Sequence, residues 1–190
     1  MSDALHMKIV VSEDGPYVVT GEVPLSVQVI TPNKQDQSWE WTEGRAFPAQ
    51  SGYKLCRCGG SRTAPCAFAR FCDVGGKIWS LIDETDNPKA RALVVRAANH
   101  CPSGRLVVRD RETGAEIEEA LPPSIGLVED PVLGCSGPLW VRGGIRVESA
   151  NSKQYERRNR VTLCRCGASD NKPFCNGSHA SVKFHDGLMV

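Results

Sequence analysis

Near the carboxyl end of the chain stands the run Cys164-Arg165-Cys166-Gly167-Ala168-Ser169-Asp170-Asn171-Lys172-Pro173-Phe174-Cys175-Asn176-Gly177-Ser178-His179. Three thiols and an imidazole form a soft donor set that seeks a metal. In extended chain, residues two apart point to the same side, so Cys164 and Cys166 can both ligate one metal. Gly167, Asp170, Asn171 and Pro173 are turn residues that bring the chain back and deliver Cys175 to the opposite side of a pocket. His179 follows Cys175 by four residues. With Asn176 capping a helical turn, those two side chains share one face, and backbone N–H groups at the helix start point towards anionic sulfurs. Such a two-plus-two split suits a cluster with two irons. Three Cys and one His also make a structural zinc set, although zinc sites usually separate paired cysteines by two to four residues.

The run resembles the CDGSH iron-sulfur motif, the binding loop of mitoNEET-like proteins, with Asn176 where that family usually has Asp. All four ligand positions match, as do Ser169, Pro173, Gly177 and Ser178. The resemblance implies a 2Fe-2S cluster held by Cys164, Cys166, Cys175 and His179. A neutral imidazole in place of a thiolate removes negative charge, so the expected potential lies above that of plant-type ferredoxins. Protonation of His179 competes with iron as pH falls. Electron transfer is the function expected, with a redox protein as partner. The alternatives are a cluster carrier or redox/pH sensor, which would meet an apo-acceptor, and a structural zinc module for protein interaction. Lys172 and Asn171 are placed to tune the site from outside the ligand set.

The chain holds nine cysteines, an odd number that does not suit a disulfide framework. A second run, Cys56-Arg57-Cys58-Gly59-Gly60-Ser61, begins like the first and then departs from it. Its third cysteine, Cys66, comes one residue early, and the position four further on is Arg70, which cannot bind iron. The family's ligands carry over to Cys56 and Cys58, to Cys66 only if the loop adjusts, and Cys72 is the nearest fourth. A competing grouping takes Cys66, Cys72 and Cys101-Pro102, which resembles single-cluster bacterial ferredoxins with Ala69 at the middle cysteine position. Three thiolates would suit a 3Fe-4S cluster or one with an outside ligand, and His100 and Cys135 are the candidates for a fourth ligand. A second 2Fe-2S cluster, a 3Fe-4S cluster and a vestigial site of buried, merely apolar cysteines all stay open. Cys135 and His185 read as structural or surface residues, and His6 belongs to the terminus.

These loops need elements to hold them. Gly15-Pro16-Tyr17-Val18-Val19 leads eventually to Leu55-Cys56, and Gly137-Pro138-Leu139-Trp140-Val141 leads to Leu163-Cys164. That echo predicts a repeated β unit, each copy opening on a Gly-Pro turn and placing a small antiparallel sheet before a Cys-X-Cys. Between the copies, Ile78–Ile82 reads as a strand. Asn87-Pro88 reads as a helix start, with a helix over Lys89–Asn99 ending at Cys101–Gly104. Arg105–Arg109 reads as a strand followed by a turn at Arg111–Ala115, and Leu121–Ser124 as a linker. The expected fold is α+β and mostly β. Its divisions are an N-terminal β unit over residues 1–65, a ferredoxin-like insert over 66–122 and a C-terminal β unit over 123–190. The two units pair either within one chain, as a pseudo-dimer, or across a homodimer.

With 190 residues, 41% of them hydrophobic and 24% charged, the composition is that of a soluble globular protein. Net charge is +1, from 23 basic and 22 acidic residues scattered without a stripe, so nucleic acid is not an expected partner. No secretory or membrane-spanning run stands out, and a cytoplasmic protein without a membrane partner is the expectation. No Ser-His-Asp order, phosphate loop or carboxylate pair marks an enzyme. The four tryptophans, Trp39, Trp41, Trp79 and Trp140, read as core packing.

Overall fold

A computed structural model describes residues 6–12, 17–32, 34, 38–55 and 88–188. Nine strands and two helices appear among them: β1 (Lys8–Val11), β2 (Tyr17–Thr20), β3 (Leu25–Pro32), β4 (Ser38–Ala46), β5 (Gly52–Leu55), α1 (Pro88–Asn99), β6 (Ser124–Asp130), β7 (Cys135–Arg142), β8 (Arg146–Ser149), β9 (Arg160–Leu163) and α2 (Ser178–Ser181). The fold is α+β and mostly β, as expected. Cys56, Cys58, Cys66, Cys72 and the strand expected at Ile78–Ile82 lie outside the described residues.

Two sheets form, with strand orders β5-β2-β1-β8 and β4-β3-β6-β7-β9. Their registers obey one rule. Ile9 pairs with Val19 and Tyr17 with Leu55 in the first sheet, while Ile125 pairs with Val141 and Leu139 with Leu163 in the second. Leu55 and Leu163 each immediately precede a Cys-Arg-Cys, so the repeat seen in the sequence is also a repeat of register. Each half then lends its next strand to the other. β8 joins β1 in parallel, with Val147 opposite Ile9, and β3 joins β6 in parallel, with Leu25 opposite Ile125. Local β propensity cannot encode this exchange, because parallel pairing is a long-range event without a hairpin. The antiparallel sheets expected before each Cys-X-Cys are present, within mixed sheets that both halves build.

The alternation of buried and half-buried residues in β1 and β2 shows a sheet with one wet face, whereas β6 and β9 are buried throughout. Residues of both sheets, among them Ile9, Tyr17, Ile125, Leu139, Val147 and Leu163, make one core. Each such side chain contributes about 1.5–3 kcal/mol by leaving water, and Ile125→Ala would cost about 2–5 kcal/mol. On the far side of the second sheet a smaller group collects, where Trp41 stacks on Trp140 at 4.4 Å between ring centroids.

Gly137 and Pro138 do not form the expected turn; they lie inside β7. The pairing of β6 with β7 shifts register between Leu127 and Glu129, and a bulge tolerates a proline that cannot donate to the ladder. A Cβ on Gly137 would stand 2.7 Å from a Val128 methyl, so the close approach of the strands needs glycine. The turn before β7 uses residues 131–134 instead, with the Asp130 carboxylate accepting from Leu133 N–H at 2.9 Å.

Helix α1 starts at the expected proline. Its C-terminal end is held by Arg160, 1% exposed, whose guanidinium donates to the Asn99 carbonyl at 2.8 Å, to the carbonyls of Ala98 and Leu106, and to Glu118 at 2.8 Å. Arg105–Arg109 does not form the expected strand. Only an isolated bridge from Arg109 to Glu116 flanks the Asp110–Gly114 turn, because Leu106 turns its carbonyl to Arg160 rather than to a strand.

Candidate metal centre

Cys164 leaves the end of β9, and the loop it begins folds back upon that strand. Cys164 N–H donates to Pro173 O at 2.8 Å, and Cys175 N–H donates to Thr162 O at 2.9 Å. Within the loop, the Ser169 hydroxyl donates to Phe174 O at 2.7 Å and accepts from Asn171 N–H, while Lys172 Nζ donates to Ser169 O at 2.9 Å. Lys172 thus ties down the loop's own backbone, and Asn171 takes part through its backbone N–H. These bonds deliver Cys175 beside the strand from which Cys164 departed, as the turn residues predict.

After Cys175 the chain enters α2. Gly177 is the N-cap, with φ 89°, a left-handed conformation that a side chain would strain. Asn176, expected as the cap, contributes from one position earlier, its side-chain oxygen accepting from Ser178 N–H at 3.1 Å and the Ser178 hydroxyl at 2.6 Å. His179 is thereby turned back on Cys175.

The four side chains form two close pairs. Cys164 Sγ lies 3.9 Å from Cys166 Sγ, and Cys175 Sγ lies 3.4 Å from His179 Nδ1. Metal–sulfur and metal–imidazole bonds of about 2.3 and 2.0 Å in tetrahedral geometry require roughly 3.8 Å between two sulfurs and roughly 3.5 Å between sulfur and nitrogen. Each pair therefore has the bite of one metal atom. Among the described residues, no three His, Cys, Asp or Glu side chains converge on a single metal ion.

Cys164, Cys166 and His179 are 1%, 2% and 3% exposed. The hydrogen bond from Cys166, backbone N–H groups of Ser169 and Gly167, and the Lys172 charge hold the Cys164 thiol down to about 6, against the effect of burial. Cys166 is pushed the other way by its bond to Cys164 and by burial. One thiolate forms readily in this pair and the second does not unless a cation accompanies it, which is the chemistry of a metal-binding pair. Ala168 N–H and Gly177 N–H point at Cys166 Sγ and Cys175 Sγ, at 3.5 and 3.3 Å. Burial, with the Arg165 charge adding to it, lowers His179 to about 4, so its imidazole is neutral at physiological pH, the form that ligates a metal.

A family model described as iron-binding zinc finger, CDGSH type, matches residues 14–74 and again 136–180. The chain belongs to the CDGSH-type iron-binding family. No curated protein and no solved structure matches the chain. The second match contains the whole donor set, and the first contains Cys56, Cys58, Cys66 and Cys72. Membership makes this an iron-binding protein.

Of the remaining candidate ligands, Cys101 and Cys135 lie among the described residues. Cys101 sits half-buried beyond α1, its Sγ 3.3 Å from Ser103 Oγ. Burial raises that thiol, but bonds from Ser103, Leu106 and Arg105 outweigh it and the net shift is downward. Cys135 is fully buried opposite Asp130 in the β6–β7 ladder. Neither stands in a metal-binding group among the described residues.

Two features escaped the sequence reading. The Tyr17 hydroxyl, contributed by the first repeat, donates to Cys164 O at 2.6 Å and Pro173 O at 3.1 Å in the second repeat's loop. Arg165, the residue between two cysteines, is buried in an ion cluster. The recurrence of arginine in both Cys-Arg-Cys runs was the available signal for the latter.

No helix of the described residues is long and apolar enough to cross a membrane.

Proposed function

We propose that Cys164, Cys166, Cys175 and His179 hold a 2Fe-2S cluster that carries single electrons. The observation that carries this reading is the pairing, a 3.9 Å sulfur–sulfur bite and a 3.4 Å sulfur–nitrogen bite on opposite limbs of one loop. Two pairs suit two adjacent irons; a lone zinc ion would draw all four donors to one point. The fit extends to charge. N–H groups aimed at two sulfurs favour the thiolate form in which they would hold a bound cluster.

When bound, such a cluster supplies a one-electron couple. The chain supplies a dry pocket, a neutral imidazole and fixed donors, which together limit rearrangement between oxidation states. His179→Cys is the test. It should keep iron, lower the reduction potential and remove the steep pH dependence that a titrating ligand confers. A variant that titrates like the parent would show that His179 is not a ligand.

The three divisions at residues 1–65, 66–122 and 123–190 carry over into this reading as a proposal. Exchange of β3 and β8 between the halves supports a pseudo-dimer within one chain.

A further inference from the structure

Arg165 is 5% exposed, although it stands in a loop and carries a charge. Its guanidinium donates to Glu129 at 2.8 Å, to Val128 O at 3.3 Å and to Asp186, and lies 5.5 Å from the Phe184 ring centroid. Glu129 is 2% exposed, and its second carboxylate oxygen is buried with no partner among the described residues, so Arg165 is its compensating charge. The segment carrying Phe184 and Asp186 is the one that leaves His179. Phe184 N–H donates to His179 O at 3.0 Å, and Ser136 ties the segment to β7 through Phe184 O at 2.7 Å and Asp186 at 3.0 Å.

Arg165 thus reaches both limbs of the candidate centre. Its backbone joins Cys164 to Cys166, and its side chain clamps the segment that follows His179. One guanidinium lies between two carboxylates, and its charge reaches His179. Burying such a cluster is costly unless it serves a geometry.

We propose that Arg165 is a positioning residue that locks the His179 limb against the cysteine pair, and that its cluster with Glu129 and Asp186 sets the electrostatic bias of the bound group. This rests on the four-ligand reading above. Arg165 and Glu129 are buried while Asp186 closes the cluster from its exposed edge, and removing a positive neighbour disfavours the more negative, reduced state, while removing a negative neighbour favours it.

The test uses the full chain purified without oxygen, as parent, Asp186→Asn, Arg165→Met and Arg165→Lys. Iron and sulfide content, midpoint potential at one fixed pH and amide exchange at Phe184 are measured for each. Asp186→Asn should raise the reduced-to-oxidised ratio at fixed ambient potential about threefold, or about 28 mV for one electron. Arg165→Met should lower the ratio by a similar factor. Arg165→Lys keeps the charge but loses the fork, so its potential should stay while exchange at Phe184 quickens. Loss of packing alone would move the first two variants the same way. Potentials that match the parent, or shift in one direction in both, overturn the inference while leaving the ligand reading intact. If Arg165→Met fails to load, Asp186→Asn decides the electrostatic half and Arg165→Lys the positioning half. A parent without iron and sulfide removes the ligand reading and, with it, this one.

Discussion

Replacing Tyr17 by phenylalanine deletes one hydroxyl from the core and leaves the ring in place. That hydroxyl, on a fully buried residue, donates at 2.6 Å to Cys164 O and at 3.1 Å to Pro173 O. Pro173 O keeps the Cys164 N–H at 2.8 Å, so the change removes a partner chiefly from Cys164 O. A buried carbonyl deprived of its donor costs about 1–3 kcal/mol. Taking about 2 kcal/mol, a chain of this size should melt roughly 4–8 °C lower. If the loss falls on loop opening alone, the open population rises about thirtyfold. Tyr53→Phe is the control, since its hydroxyl donates to Val23 O at 2.9 Å, away from the loop. The assay is bleaching of the visible absorbance in the presence of an iron chelator, at a temperature where both variants are folded. Tyr17→Phe should bleach at least tenfold faster than Tyr53→Phe. Equal rates would refute the claim that the first repeat's tyrosine holds the second repeat's metal loop.

The other predictions concern the frame and its acid sensitivity. Arg160→Met deletes the bonds to Asn99, Ala98, Leu106 and Glu118 and leaves a half-buried carboxylate without its cation; urea unfolding should show a loss of about 3 kcal/mol. Gly137→Ala should cost about 1–3 kcal/mol in the same assay by driving a methyl into Val128. In metal-free protein, His179 is depressed to about 4, so between there and the ordinary histidine value of 6.5 the unfolded chain binds the extra proton. Stability is therefore fully present above about 6.5 and declines as pH falls towards 4, by about 3 kcal/mol in all. His179→Leu should flatten that decline when unfolding midpoints are compared across the range.

The pairing of Cys164 with Cys166 and of Cys175 with His179 was legible in the sequence because it depends on residue type and short spacing, both local. Cys164, Cys166, Cys175 and His179 stand within one loop, and the turn residues between them fold it back as read. Helix α1 was legible from Pro88 and the apolar content of Leu93–Val95. Gly137 and Pro138 misled, since the usual meaning of Gly-Pro is a turn and only the strand opposite, with its bulge near Val128, reveals otherwise. The exchange of β3 and β8 was not legible, because parallel partners more than 90 residues apart leave no spacing signature. Tyr17 read as an ordinary strand residue for the same reason, its partners lying 147 and 156 residues away. Arg165 looked like a spacer between ligands, and its partner Glu129 stands 36 positions earlier in another strand.

Iron and acid-labile sulfide per chain, counted in protein purified without oxygen and again in Cys175→Ala, test the central claim most directly. The account predicts coloured protein that loses about two irons and about two sulfides per chain on that substitution. Colourless parent protein, zinc in place of iron, or a variant that keeps the parent's full iron and sulfide would contradict it.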